Sequence, residues 1–194
     1  MLHLKLPTEP QWVEMVERGN LEEILTDHAY CEQKAASSCI SIIQSYPDFE
    51  KVVEVLTPVV IEEWQHFARV HAELKKRGLK LGMQRKDAYV NELLKWKRKG
   101  ASRKESLIDK LLICALIEAR SCERFKLLWQ GLKDEELKSF YYDLMVSEAG
   151  HYVNFIELAR EIGGRAQVDK RWQELLYYEI DVLQKIPPTH NKIH

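Results

Sequence analysis

The chain has 194 residues, which is enough for one domain with a sizeable hydrophobic core. Hydrophobic residues make up 45% and charged residues 30%, as in ordinary globular domains. No apolar stretch approaches the ~20 residues needed to span a bilayer, so the sequence predicts neither a membrane-spanning protein nor a membrane partner.

Glycine and proline residues divide the chain into helices, and no run shows the alternating pattern of a strand. A short helix over 8–18 is followed by a long helix over 20–46. Pro58 is expected to break or kink the next helical stretch, which begins at 48, so that the main second helix covers 58–77. A short helix near 86–98, long helices over 102–131 and 134–162, and a final helix over 169–186 complete the prediction.

Capping residues support three of these helix starts. Asn20 with Glu23 and Ser102 with Glu105 have the spacing of capping boxes, and Asp134 precedes the fourth long helix.

The cysteines are expected to be reduced thiols inside helices, because they form no Cys-x-x-Cys pair. Their positions are Cys31, Cys39, Cys114 and Cys122. This pattern favours a reducing compartment, and we expect a cytoplasmic protein.

Two Glu-x-x-His motifs, each preceded by a lone glutamate, are the most informative feature of the chain. The lone glutamate leads its motif by 31 residues in the first set and by 30 in the second. Corresponding positions of the two sets are offset by 86 and 85 residues, which indicates a duplicated helical hairpin. The two sets are Glu32, Glu63 and His66, and Glu118, Glu148 and His151.

These six residues are candidate ligands of a dinuclear metal site. Positions i and i+3 share a helix face, so each Glu-x-x-His motif can direct both side chains to one point. All four carboxylates fall on apolar or small-residue faces, where burial is costly without compensation. Four glutamates and two histidines in a four-helix bundle are the pattern of di-iron and di-manganese carboxylate proteins, and zinc is disfavoured. Chance gives roughly 0.8 Glu-x-x-His matches in such a composition, so the matched spacing carries the argument.

Two neighbouring residues are candidates for supporting the ligands. Glu62 could hydrogen-bond a ligand imidazole from the opposite hairpin, or it could simply be exposed. His28 lies one turn before Glu32 and is expected to pack against it or orient it.

The stretch from Lys75 to Lys104 holds twelve Lys and Arg residues and two acidic residues, within a chain of net charge −1. We expect the end of the second long helix and the start of the third to meet at one end of the bundle, where positive charge suits RNA phosphates. A solvated face is the alternative reading. The candidate RNA-binding residues are Lys75, Lys76, Arg77, Arg85, Lys86, Lys95, Lys97, Arg98, Lys99, Arg103 and Lys104.

The fold class predicted is all-α: a single ferritin-like four-helix bundle over 1–194 with short terminal helices. Short links join the helices of hairpin one, 20–77, and of hairpin two, 102–163. The basic connector, 78–101, makes the long crossover between the hairpins, and a C-terminal helix covers 169–186.

The chain resembles the bacterial tRNA 2-methylthio-isopentenyladenosine hydroxylase family along its whole length. The matching residues are Glu32, Glu63-Trp64-Gln65-His66, Glu118-Ala119-Arg120-Ser121 and Glu148-Ala149-Gly150-His151. The resemblance implies a non-haem di-iron monooxygenase that hydroxylates the isopentenyl group next to the tRNA anticodon. It further implies one iron at Glu32, Glu63 and His66, another at Glu118, Glu148 and His151, and some bridging carboxylates.

The implied reaction consumes O2 and two electrons from an external donor such as a ferredoxin or a reductase, and the expected partner is the anticodon arm of tRNA. A monomer is expected. Two alternatives remain open at this stage: a ferroxidase or peroxide-scavenging ferritin-like protein, and a metal-free helical binding module. The sequence assigns no residue to the modified base.

Overall fold

A computed structural model describes residues 2–186, 188–189 and 192–193. Over these residues the protein contains α-helices, one 3₁₀ turn and no strand, which confirms the predicted fold class. The helices are α1 (Gln11–Arg18), α2 (Leu21–Ser45), α3 (Glu50–Lys76), α4 (Ala88–Leu93), α5 (Arg103–Gly131), α6 (Glu135–Gly163) and α7 (Arg165–Lys185), with the 3₁₀ turn at Leu94–Trp96.

The long helices begin where their capping residues predict. The side chain of Asn20 accepts a hydrogen bond from the backbone of Glu22, and Asp134 caps α6 in the same way. Ser102 and Glu105 form a complete capping box at the start of α5. These contacts satisfy N–H groups that the first helical turn leaves without partners.

The predicted break at Pro58 is wrong, because α3 is one continuous helix from Glu50 to Lys76. Proline removes one N–H from the helical hydrogen-bond series, and its ring crowds the carbonyl oxygen of residue i−4. Leu56 and Val59 are buried on either side of it, at 0% and 1% exposure. Tertiary packing of this apolar face therefore holds the helix together across the missing bond.

The final helix begins at Arg165, four residues before the predicted start, because the turn between α6 and α7 is very short. Gly164 has a φ of +84°, a conformation that residues with a Cβ rarely adopt. A Cβ on Gly163 would lie only 2.6 Å from Val168 and 2.7 Å from Ile108. The Gly163-Gly164 pair therefore ends α6, as expected, and lets α7 start at once.

The four long helices form two antiparallel pairs, α2 with α3 and α5 with α6. Arg77 at the end of α3 contacts Asp134 at the start of α6, while Arg103 at the start of α5 donates to the backbone oxygen of Ser45 at the end of α2. The connector therefore runs the length of the bundle and makes α5 parallel to α3. This is the single-crossover connectivity that the spacing of the elements predicts.

The bundle core consists of two apolar clusters with a polar layer between them. One cluster contains Leu56, Leu111 and Phe155, toward the end where α5 begins. The other contains Leu25 and Leu128 and lies toward the opposite end. The predicted ligands occupy the layer between these clusters, at the middle of each long helix.

Helix α7 packs outside the bundle, beside α5, and α4 packs on α7. All four cysteines are free thiols, as expected. None of the helices in the described part of the chain is both long and apolar enough to cross a membrane.

Candidate metal centre

The six predicted ligands come together in the middle of the bundle, and each long helix contributes at least one of them. All six are buried, with exposures between 0% and 5%. Glu32 projects from α2 and Glu118 from α5. The two Glu-x-x-His motifs project from α3 and α6, with both side chains of each motif on the inward face.

Their ligand atoms form two overlapping groups, in each of which all atoms lie within 4.8 Å of one another. The first group contains Glu32, Glu63, His66 and Glu148, and the second contains Glu63, Glu118, Glu148 and His151. Glu63 and Glu148 belong to both groups. These two carboxylates would therefore serve both ions of a dinuclear centre, whereas Glu32 and Glu118, the terminal glutamates, belong to one group each.

Both imidazoles direct Nδ1 toward the shared carboxylates. His66 Nδ1 lies 3.2 Å from Glu148 Oε1 and 3.7 Å from Glu63 Oε2. His151 Nδ1 lies 2.7 Å from Glu63 Oε1 and 3.3 Å from Glu148 Oε2. The two rings face each other with centroids 5.7 Å apart. Each imidazole thus belongs to a different ligand group, and both lie beside the two shared carboxylates, Glu63 and Glu148.

Burial raises the pKa of Glu32 well above its usual value, and the charges of Glu148 and Glu63 raise it further. Burial likewise raises the pKa of Glu118, again with the charges of Glu148 and Glu63. Like charges at this separation cannot all persist in a water-free interior. Without a metal, the terminal glutamates therefore hold protons.

The shared carboxylate Glu148 behaves oppositely. Burial acts to raise its pKa, but hydrogen bonds from Glu118, His151 and His66 outweigh burial and hold the pKa well below the usual value. Burial acts to lower the pKa of both imidazoles, but Glu148 and Glu63 raise that of His66 to about 9 and that of His151 to about 11. Protons thus supply the positive charge that the cluster needs.

Several of these buried atoms nevertheless lack a well-directed hydrogen bond, namely both carboxylate oxygens of Glu63, Oε1 of Glu148 and Nδ1 of His66. They all point into the space between the four helices. Buried polar atoms without partners are costly, and a bound cation would satisfy them together. Carboxylate-rich sites with imidazole ligands suit iron or manganese, so the residues present fit a dinuclear centre of this kind.

The predicted contact between Glu62 and a ligand imidazole of the other hairpin is present. Glu62 Oε2 lies 2.8 Å from His151 Nε2, and Glu62 is half-exposed. His28 Nε2 lies 2.6 Å from Glu32 Oε1 and is fully buried among Phe125 and Tyr141. Glu62 can therefore orient His151, and His28 can orient Glu32.

The whole chain, residues 1–194, matches the family model described as tRNA-(MS[2]IO[6]A)-hydroxylase (MiaE). The chain belongs to this family. A tRNA 2-(methylsulfanyl)-N(6)-isopentenyladenosine(37) hydroxylase from Pseudomonas putida KT2440 is 35% identical over 98% of this chain and 91% of its own length. A protein of the same name from Salmonella typhimurium LT2 is 30% identical over 82% of this chain and 76% of its own length.

A solved structure shares the fold of this hydroxylase family member. It is a Synechococcus protein, Protein 43, described as having aldehyde deformylating oxygenase activity. It superposes with a TM-score of 0.91 at 33% identity and covers 98% of this chain and 94% of its own. The family match and this neighbour together support an oxygen-dependent hydroxylase on a ferritin-like bundle.

The expectation that the basic residues meet at one end of the bundle is wrong. The crossover connector places the end of α3 and the start of α5 at opposite ends. Lys75, Lys76 and Arg77 lie at the end of α3, where α6 begins. Arg103 and Lys104 lie at the start of α5, beside the end of α2. At a rise of ~1.5 Å per residue, a helix as long as α3 places these ends roughly 40 Å apart. Arg85, Lys86, Lys95, Lys97, Arg98 and Lys99 lie along the connector between them.

Six of the eleven basic candidates form ion pairs within the protein. Arg98 holds the buried carboxylate of Asp109 and also contacts Glu105. The other pairs are Lys76 with Glu136, Arg77 with Asp134, Arg85 with Glu23, Lys95 with Glu92, and Arg103 with Asp48. Among the described residues, no acidic partner lies within ion-pair distance of Lys75, Lys86, Lys97, Lys99 or Lys104. These five keep their charge available for an external anion.

Sequence patterns missed a buried ionic network beside the centre. Arg120, with 0% exposure, donates to Glu179 on α7 at 2.8 Å and to Glu123 at 2.6 Å. Tyr89 of α4 donates to the same Glu179 at 2.7 Å. Burial acts to lower the pKa of Arg120, but the charge of Glu179 outweighs it and the net shift is upward. The Glu-Ala-Arg-Ser context of Glu118 thus contains a ligand and, two residues on, the residue that fixes α7 to α5.

Proposed function

We propose that this protein hydroxylates the isopentenyl group of 2-methylthio-isopentenyladenosine, next to the anticodon of tRNA, at a di-iron centre. The observation that carries the proposal is the buried cluster of four glutamates and two histidines inside a chain that matches the tRNA hydroxylase family from end to end. The printed activity of the Pseudomonas and Salmonella relatives supplies the substrate.

In this proposal Glu63 and Glu148 would help to hold both irons, Glu32 and His66 would complete the ligand set of one, and Glu118 and His151 would complete that of the other. When bound, two irons supply the reaction of O2 with two electrons, which places one oxygen atom in an allylic C–H bond and releases the other as water. The protein holds the ligands and excludes water from them, since all six are buried.

Residues around the ligands orient them and carry protons. With Nδ1 of His151 facing the carboxylates, its Nε2–H donates to Glu62, which fixes the ring and its tautomer. On the other side of the cluster, Nε2 of His28 contacts the carboxylate of Glu32 and holds it in place. Since Glu62 is half-exposed, it also joins the buried imidazole to solvent.

All six ligands come from one chain, so we propose that a monomer is a complete catalytic unit. The two electrons must come from an external donor, because converting O2 and a C–H bond into an alcohol and water consumes two electrons that the substrate does not supply. A ferredoxin or a reductase would supply them in the cytoplasm, where tRNA is modified.

One other activity has an observation in its favour, namely the deformylation of an aldehyde, the activity printed for the Synechococcus neighbour. The family match over the full chain favours tRNA, and so do the unpaired lysines around the connector. A ferroxidase reading is not favoured, because it would leave the family match unexplained.

The testing experiment is single-turnover oxidation of the iron-loaded, chemically reduced protein in the presence of O2. One sample contains tRNA carrying 2-methylthio-isopentenyladenosine, and matched samples contain tRNA without the isopentenyl group or a long-chain aldehyde. A hydroxylated nucleoside in digests of the first sample alone supports the proposal. Oxidation at the same rate with and without tRNA, or conversion of the aldehyde to formate and a hydrocarbon one carbon shorter, contradicts it.

A further inference from the structure

A surface cavity of about 550 Å³ opens between α2, α5 and the crossover connector. All three elements contribute residues to its wall, for example Ser41 of α2, Ile113 of α5 and Lys97 of the connector. A smaller chamber of about 50 Å³ lies deeper, and its lining includes the predicted iron ligand Glu118. A water needs only ~10–15 Å³ by this measure, so the chamber holds several atoms.

The cavity and the chamber form one path from the surface to the carboxylate cluster. Five residues line both of them: Lys34, Ser38, Val90, Cys114 and Ile117. Two other cavities of the protein, near Trp12 and near Trp172, include none of the six predicted ligands in their walls. The path between α2 and α5, in contrast, reaches the predicted ligand Glu118.

Polarity changes along this path. The outer wall contributed by α2 carries amide and hydroxyl groups at Gln33, Ser37 and Ser41. The inner chamber is lined mainly by small or apolar side chains, among them Ala35 and Phe155. A ligand that fits both parts has a larger body with hydrogen-bonding groups and a short apolar arm.

The outer rim carries positive charge. Lys97 and Lys110 both line the outer cavity, and no carboxylate among the described residues lies within ion-pair distance of either. Partial burial lowers the pKa of Lys110, and because both lysines line one cavity, the charge of Lys97 lowers it further. Lys110 also lies 5.0 Å from the ring of Tyr46. An anion at this rim would relieve the repulsion between the two lysines.

We propose that the modified adenosine enters between α2 and α5, with its purine in the outer cavity, its isopentenyl arm in the inner chamber beside Glu118, and flanking phosphates on Lys97 and Lys110. This rests on the proposed function and assigns it a binding site. It also selects one of the two separated basic regions: the RNA lies over the connector and the start of α5 rather than over the end of α3.

The test is a bulky side chain placed where the outer cavity and the inner chamber meet. Ser38 lines both parts and is solvent-exposed on α2, so a larger side chain there leaves the core intact. Ser38→Trp is compared with Ser139→Trp, an equally exposed serine on α6. Iron content and the optical spectrum of both variants verify that the centre is intact before RNA is added.

Equilibrium binding is then measured with two anticodon stem-loops, one with isopentenyladenosine and one with plain adenosine. The unsubstituted protein and Ser139→Trp should prefer the modified RNA by about 10-fold or more. Ser38→Trp should bind both RNAs equally and lose hydroxylation. A plugged variant that keeps the preference and the product overturns the proposed path. If the unsubstituted protein shows neither preference nor product, the proposed function fails, and the binding site fails with it.

A charge-reversal pair separates the rim from the chamber. Lys97→Glu with Lys110→Glu should weaken binding of both RNAs, flatten the salt dependence by roughly two phosphate contacts and keep the preference for the modified base. The control is Lys126→Glu with Lys170→Glu, two exposed lysines on other surfaces. Equal losses in both double variants would overturn the placement of phosphates at the rim.

Discussion

His151 Nε2 lies 2.8 Å from Glu62 Oε2, and this contact joins hairpin two to hairpin one at the edge of the metal centre. The imidazole is buried, whereas the carboxylate is half-exposed. The equivalent position of hairpin two is Ser147, so the duplicated halves differ here. The two irons of the proposed centre are therefore held by unequal surroundings.

Replacing Glu62 by alanine should lower iron affinity or turnover by about 10–100-fold, because the ring of His151 loses the acceptor that orients it. Iron titration of the metal-free protein and single-turnover product yield measure the two effects. Glu54→Ala is the control, since Glu54 lies on the same helix and pairs only with Lys51 at the surface. Equal affinity and yield in both variants would show that the contact orients nothing.

Replacing Glu63 or Glu118 by alanine should lower the number of bound irons per chain by different amounts. Glu118 belongs to one ligand group and Glu63 to both, so Glu118→Ala should retain about one iron per chain and Glu63→Ala less than one. Iron content after anaerobic loading and desalting decides between them. Two irons per chain in Glu118→Ala would mean that another carboxylate is the terminal ligand.

Metal binding should displace protons from the cluster, with a defined pH dependence. The pKa of His66 is raised to about 9 and that of His151 to about 11, so both imidazoles are protonated at pH 7 in the metal-free protein. A raised folded-state pKa stabilises the fold below the usual histidine pKa of ~6.5, and that contribution is lost as pH rises through the folded value. The metal-free protein should therefore become less stable between pH 6.5 and 9.

The stability of the metal-bound protein should change little over this range, because metal has already displaced the protons from the ligands and unfolded histidines are neutral above pH ~6.5. Thermal melts at several pH values, with and without Mn²⁺ as an ion that needs no reductant, measure the difference. The gap between the two Tm values should widen with pH, and a pH dye should report proton release on loading. Parallel Tm curves and no proton release would show that the cluster is not protonated before loading.

Sequence reasoning selected six candidate ligands that the structure brings together, because their spacing is a local property of a helix. Glu63 and His66 are one turn apart, so they must share a face wherever α3 lies. The position of the basic ends is not local. A connector over 78–101 is long enough either to return to the same end or to cross the bundle, since an extended chain spans up to ~3.3–3.6 Å per residue. Only the contacts of Arg77 and Arg103 show that it crosses.

Pro58 and Arg120 are two further positions where tertiary contacts, which sequence patterns do not show, decide the structure. Proline disfavours a helix interior locally, yet the burial of Leu56 and Val59 keeps α3 continuous. Arg120 has no local pattern that indicates burial, because Glu179 lies 59 residues away in sequence. Charged residues are rarely fully buried unless paired, and the pairing becomes visible only once α7 is placed beside α5.

The Arg120–Glu179 pair should contribute strongly to stability without taking part in the reaction. Both side chains are almost fully buried, at 0% and 1% exposure. Glu179→Ala removes the acceptor shared by Arg120 and Tyr89, and breaking such a pair costs about 3–5 kcal/mol because it leaves a buried charge. Tyr89→Phe removes one neutral donor and should cost about 1 kcal/mol.

Urea unfolding of the two variants and of Asp181→Ala, an exposed acid two residues further along α7, measures these differences. The midpoint should fall most for Glu179→Ala, slightly for Tyr89→Phe and hardly at all for Asp181→Ala. Iron content of the folded fraction should stay at the level of the unsubstituted protein. Among the described residues, Glu179 makes no hydrogen bond to any of the six predicted ligands. A loss of iron without a loss of stability would mean that this network supports the metal centre rather than the attachment of α7.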